Sequence, residues 1–165
     1  SLFDQDRSLW DQERIAEGHA LLDRSASGAT ISEYHVEAAI AWTHTSAHDA
    51  ADTDWRMIVS LYDTLLTLRP SPVIALNRAV AVAQQEGPAR GLKAIAAIPN
   101  ADRLASYPFY HAALGELEFR QGERRTAKAH FRRAANLARN PMERRFLNGR
   151  VEACETPPVK LRRRR

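Results

Sequence analysis

Proline and glycine cut this sequence into pieces too short for anything but brief helices. Arg69-Pro70-Ser71-Pro72, Gly87-Pro88, Pro99-Asn100, Gly122 and Pro141 leave only a few helical turns between successive breaks. Proline lacks the N–H that a helix interior needs, so it opens or ends helices, and glycine serves as a stop. Between the breaks, apolar residues recur at helical spacing. Leu9, Ile15, Leu21 and Leu22 form one set, Tyr34, Ala38, Ala41 and Trp42 a second, and Ile58, Leu61, Tyr62, Leu65 and Leu66 a third. No strand-like alternation appears anywhere.

The breaks predict an all-α chain of about eight helices. The first is expected from about Ser8, its N-cap, to Arg24, broken by Ser25-Ala26-Ser27-Gly28-Ala29. Thr30 and Glu33 fit a capping box opening a helix that reaches about Ala47. The others are expected at 54–68 (capped by Asp52 or Thr53), 73–85 (capped by Ser71), 88–98, 107–121, 124–139, and from Pro141 onward. Short connections make neighbouring helices antiparallel hairpins. The predicted organisation is one helical domain over residues 1–155 and a disordered basic tail over 156–165.

Composition narrows the function classes. Hydrophobic residues are 44% and charged residues 27% of the 165, as in an ordinary globular protein. No apolar run approaches the roughly 18 residues a membrane-crossing helix needs, and Ser1 to Arg7 does not resemble a signal peptide. Cys154 is the single cysteine, which excludes an intramolecular disulfide, and a cytoplasmic setting is expected. The net charge is +4, but Lys160–Arg165 supplies five basic groups, and the rest holds 19 basic against 20 acidic residues. A basic face on the body is therefore not expected, and nucleic-acid contact falls to the tail if to anything.

Candidate chemistry is sparse. Gly87-Pro88-Ala89-Arg90-Gly91 has too few glycines for a phosphate cradle. His44 and His48, four apart with Asp49 and Asp52 nearby, have a spacing that can ligate zinc, but residue 45 is Thr45 where a zincin helix has glutamate. Histidines near a helix end more often cap carbonyls or face solvent. Asp4/Asp6 and Asp52/Asp54 are carboxylate pairs, each just before a helix, where capping is the expected use. Cys154, between Glu152 and Glu155, is expected at the surface or partly packed, with its thiol pKa raised by those carboxylates. No catalytic, cofactor or metal site is expected. Trp10, Trp42 and Trp55 are expected mainly in the core of the first hairpins, or as partner anchors. In Asp4-Gln5-Asp6-Arg7-Ser8-Leu9-Trp10, Arg7 can bridge carboxylates with Trp10 beneath it, either holding the segment down as a cap or forming a binding surface.

Two resemblances follow from the motifs. Residues 109–141, with Leu114-Gly115, Ala127, Phe131 and Ala134, resemble a tetratricopeptide repeat, although Glu118 stands where an aromatic is usual and Phe119 lies beside it. Thirty-five residues earlier, Gly87, Lys93 and Ala94 echo Gly122, Lys128 and Ala129. Such hairpins stack in a right-handed array with a long exposed face. An ordinary bundle with periodic-looking hairpins is the alternative.

A second series runs in order along the chain: Asp4-Gln5-Asp6-Arg7-Ser8-Leu9-Trp10, Tyr34 through Ala41 and His44, Asp52-Thr53-Asp54-Trp55, Leu61-Tyr62-Asp63, Ser71-Pro72-Val73, Leu76-Asn77-Arg78 through Ala83, and Glu143 through Leu147. It resembles the C-terminal extension of the extracytoplasmic-function sigma factors associated with DGPF-motif proteins. The resemblance implies a tetratricopeptide-like regulator of transcription initiation that contacts its own sigma domains or core RNA polymerase, with a signalling protein or small molecule as a further partner. The sigma domains themselves have no counterpart here, so promoter recognition by this chain is not expected. The same resemblance marks Asp4, Gln5, Asp6, Arg7 and Trp10 as the join to a preceding domain, and Asn77 and Arg78 as a buried or interface pair. A general protein- or peptide-binding scaffold is the alternative.

Overall fold

The computed structural model describes residues 6–25 and 30–156. Among them are eight α-helices: α1 (Gln12–Ser25), α2 (Glu33–Ser46), α3 (Trp55–Leu68), α4 (Pro72–Glu86), α5 (Pro88–Ala96), α6 (Pro108–Gln121), α7 (Arg124–Leu137) and α8 (Pro141–Glu155). Short 3-10 turns stand at Arg7–Leu9 and Ala101–Leu104. From α1 to α3, and again from α5 to α8, successive helices pack as antiparallel hairpins of a tetratricopeptide-like kind. The chain falls into two compact units, 1–85 and 86–165.

Local hydrogen bonding sets the helix starts, and several differ from the sequence expectation. Ser8 does not cap α1. Its hydroxyl donates to Asp6 Oδ1 at 2.6 Å inside the 3-10 turn, and Asp11 Oδ1 takes the first-turn N–H of Arg14 at 3.1 Å. The Thr30/Glu33 capping box does not form either. Ser32 is the N-cap of α2, its N–H donating to His35 Nδ1 at 3.2 Å, which frees Glu33 to pair with Arg69 at 3.1 Å. Asp54 rather than Asp52 or Thr53 caps α3, accepting from Met57 N–H at 2.9 Å. Pro72, Pro88, Pro108 and Pro141 each open a helix, where a missing N–H costs nothing.

In the first unit the core is Val36 and Ile40 of α2, Ile58 and Leu65 of α3, and Ile74 and Ala81 of α4, with Trp55, Leu61, Tyr62 and Leu66 packed around it. The periodic stripe of α3 is thus the face it buries. Helix α1 has no buried residue; it leans on α2 through His19, whose Nε2 lies 2.9 Å from Thr45 Oγ1 and whose ring lies 5.7 Å from Trp42.

In the second unit the core is Ala127, Phe131, Ala134, Ala135 and Ala138 against Leu147 and Cys154. Gly115 of α6 lies directly on the Phe131 ring, and a Cβ there would approach Phe131 Cδ1 and Cε1 to 2.9 Å. The small-residue position of the repeat is a contact requirement. Phe119, one position past the usual aromatic, packs against this core. It lies half-buried between two guanidiniums, Arg150 at 4.5 Å and Arg124 at 4.9 Å. Gly87 and Gly122, matched by the 35-residue echo, both have positive φ, 93° and 89°, but Gly87 stands before α5 with ψ of 165° and Gly122 ends α6 in the αL region with ψ of −1°, so the echo pairs two glycine turns of different conformation.

A helical glycine replaced by alanine ordinarily gains about 1 kcal/mol. Gly149, with nothing near its missing Cβ, is expected to follow that rule. Gly115→Ala is expected instead to destabilise by about 1–2 kcal/mol, because the ring of Phe131 must move. Urea unfolding of the two variants checks the opposite signs; stabilisation at both positions would show that the α6–α7 contact is slack.

Candidate functional site

Asp4 and Gln5 lie outside the described residues, but the rest of the opening motif is well placed. Asp6 accepts from the Ser8 backbone N–H at 3.0 Å and from its hydroxyl, and these bonds hold the Asp6 carboxyl below its ordinary pKa. Arg7 then turns inward and is only 8% exposed. Its Nη1 donates to the carbonyls of His44 at 2.6 Å and Ala47 at 2.8 Å, and its Nη2 to Thr53 Oγ1 at 3.2 Å. The His44 and Ala47 carbonyls are among those left without intrahelical partners as α2 ends, so a guanidinium fits both their geometry and the negative pole of the helix. The Trp10 ring lies 5.0 Å from the Arg7 guanidinium. Arg7 thus reads backbone oxygens and a hydroxyl where the sequence suggested carboxylates. The physical reason is local: among the described residues the candidate carboxylate is Asp6, and Ser8 already occupies it.

What Arg7 grips is the loop from Ala47 to Asp54. Asp49 organises that loop by accepting from the N–H groups of Ala51 at 2.7 Å and Asp52 at 3.0 Å, and these bonds hold its pKa below the ordinary value. The buried Thr53 hydroxyl donates to Asp49 O at 3.1 Å, and the Trp55 indole N–H to Ala50 O at 3.2 Å. His44 sits edge-on to Trp55 at 5.3 Å; burial first, and the Arg7 cation second, lower its pKa. That position takes His44 away from the zinc spacing suggested with His48. His48, Asp49 and Asp52 do lie together, within 4.8 Å at their ligand atoms, but all three are exposed. Asp49 is already committed to two backbone donors.

The other sequence candidates separate. Arg78 and Asn77 are half-buried on α4, and Arg78 forms a two-pronged ion pair with Asp63 of α3, at 2.5 and 3.3 Å. That pair ties α3 to α4 and lies apart in sequence from the Arg7 anchor. Trp10 and Trp55 are half-buried, whereas Trp42, expected mainly in the core, is among the exposed aromatics together with Tyr34, which is 73% exposed. Tyr34, Ala38 and Trp42 stand four apart on α2, a partly apolar strip with the α1 contact at its Trp42 end. Cys154 is buried, and burial is the main cause of its raised thiol pKa, opposed by the charges of Arg150, Arg124 and Lys128. The flanking carboxylates are not the cause: Glu155 instead pairs with Lys128.

The net charge of the whole chain averages away a division between its two units. Residues 1–85 hold twelve acidic and six basic side chains, while 86–165 hold eight acidic and eighteen basic. Near-neutrality of the body is a sum over two units of opposite sign. Charge counted on either side of Gln85 would have shown it, but nothing in the sequence marked Gln85 as the place to divide.

Among the described residues no helix is long and apolar enough to cross a membrane. No protein-family model matches the chain, and no solved structure matches it. An uncharacterized protein of Rhizobium meliloti (strain 1021) is 38% identical over 158 residues, covering 96% of this chain and 37% of the relative. The chain therefore spans little more than a third of that protein's length.

Proposed function

We propose that this chain is a helical-hairpin module that binds another polypeptide and carries no catalytic step of its own. The observation behind it is the strip on α2, where Tyr34 and Trp42 are exposed on a helix whose opposite face, Val36 and Ile40, is already buried. Hairpin repeats commonly bind through such leftover faces, and large aromatics are favoured anchors. Selection from a displayed random-peptide library tests it: enriched peptides should bind the chain and lose binding to a folded Tyr34→Ser/Trp42→Ser variant. No enrichment, or enrichment indifferent to both substitutions, overturns the reading.

The finer reading is a regulatory extension of an extracytoplasmic-function sigma factor, acting on its own sigma domains or on core RNA polymerase. It is supported by the ordered series of segments from Asp4 to Leu147. The length of the Rhizobium meliloti relative, most of which lies outside the match, leaves room for such domains. Promoter-directed transcription by that full-length relative, with and without the matching stretch, is the test. Loss of transcripts while the truncated protein still binds polymerase supports a licensing role. A full-length relative that neither binds core polymerase nor directs transcription sinks the sigma reading and leaves the general scaffold standing.

A further inference from the structure

The second unit carries a strongly basic stretch. From Arg124 to Arg150 the sequence holds nine basic side chains and a single acid, Glu143, and eight of the nine are arginine. Folded surfaces ordinarily intersperse both signs, because a large field of one sign repels itself. Helix α7 contains no acidic residue at all.

Part of this charge is used internally. Arg124 donates to the carbonyls of Ala153 and Thr156, Arg144 to that of Ala138, Arg150 pairs with Glu116, and Lys128 with Glu155. Arg125, Arg132, Arg139 and Arg145 are different. All four are exposed, and none forms a hydrogen bond or an ion pair among the described residues. Arg125 and Arg132 lie seven apart, hence on one face of α7 about 10 Å from each other. That face adjoins α8: Lys128, between them in sequence, reaches Glu155, and Arg132 lies close enough to help lower the Glu155 pKa.

Helix α8 adds an element that charge alone does not require. Phe146, immediately after Arg144 and Arg145, is 51% exposed. A shallow depression lies beside it, lined by Pro141, Arg144, Arg145, Asn148, Gly149 and Glu152. Arg145, unpaired, directly precedes the exposed ring of Phe146 on α8, and exposed guanidiniums together with an exposed ring form the combination that holds single strands: the forks take phosphates and the ring takes a base face. An acidic protein is the competing partner for such a surface, and competition with polyglutamate separates the two.

We propose that the α7–α8 surface of the second unit binds single-stranded nucleic acid without sequence preference, through Arg125, Arg132 and Arg145 on the phosphates and Phe146 on a base. This inference is independent of the protein-binding role above.

Fluorescence anisotropy of the full chain with a labelled oligothymidylate of about 20 nucleotides tests it. Binding is expected at low salt, weakening with a log–log salt slope of about −2, since each phosphate neutralised on a single strand contributes about −0.7. Arg132→Glu/Arg145→Glu should weaken binding more than ten-fold. Phe146→Ala should weaken it at least five-fold while leaving the salt slope unchanged, because stacking releases no counterions. All three positions are exposed, so circular dichroism should be unaltered. Absence of binding at 50 mM salt overturns the proposal, as does tighter binding to duplex, or displacement of the oligonucleotide by an equal concentration of polyglutamate. So does binding that ignores these substitutions and vanishes when residues 157–165 are removed.

Discussion

Replacing Phe131 with alanine is expected to lower the unfolding free energy of the second unit by about 3–5 kcal/mol, the range for removing a fully buried aromatic ring. Phe131 is 1% exposed and belongs to a cluster otherwise made largely of alanines, Ala127, Ala134, Ala135 and Ala138. Short side chains on rigid helices cannot swing in to fill the space a lost ring leaves. The ring also supports two neighbours directly, Gly115 beneath it and the Arg150 guanidinium 5.3 Å from its centre. Phe131→Leu should recover more than half of the loss, since it restores apolar volume though not the flat face that Gly115 meets. Urea denaturation, with hydrogen exchange read across α6 to α8, measures both variants. A cost below 1 kcal/mol for the alanine variant would mean that the α6–α7 hairpin can close over the cavity.

Arg7→Ala is the second large effect, expected at about 2–4 kcal/mol. Hydrogen bonds from a charged donor contribute roughly 1.5–3 kcal/mol each, and partial rehydration of the released acceptors offsets some of that. Three such bonds end at once, to the His44 and Ala47 carbonyls and Thr53 Oγ1, and the exposed end of α2 regains an uncompensated dipole. Arg7→Lys should recover less than half. A point-like ammonium on a flexible stem cannot address three acceptors with the fixed fork that a guanidinium provides. Tryptophan emission gives a local check, since Trp10 and Trp55 both lie at this anchor. An Arg7→Ala variant as stable as the parent would show that the segment before α1 contributes nothing to the first unit.

The contrast between these two side chains shows what could be read beforehand. Phe131 sits in a helical stripe with a glycine twelve positions before its neighbour Ala127, so periodicity and small-residue spacing expose its burial in advance. Arg7 was legible as an anchor but not in its acceptors. Its partners are 37 to 46 residues away in sequence and are mostly backbone oxygens, which have no letter in the sequence. The caps show the same limit on a smaller scale. Thr30 with Glu33 and Ser32 with His35 are both chemically able to open α2, and Arg69, more than thirty residues on, engages Glu33 in an ion pair and so favours the second.

Helical character, the positions of the proline and glycine breaks, and the apolar stripes that must be covered are all legible in the residues alone. Those features depend on dihedral limits and on a 3.6-residue period, both local properties. Which polar groups meet follows from the packed fold. Arg7 closing on a loop and Arg78 taking Asp63 depend on long-range packing, as does the point at which the chain divides into an acidic and a basic unit. A charge summed along the chain does not say which charges share a surface.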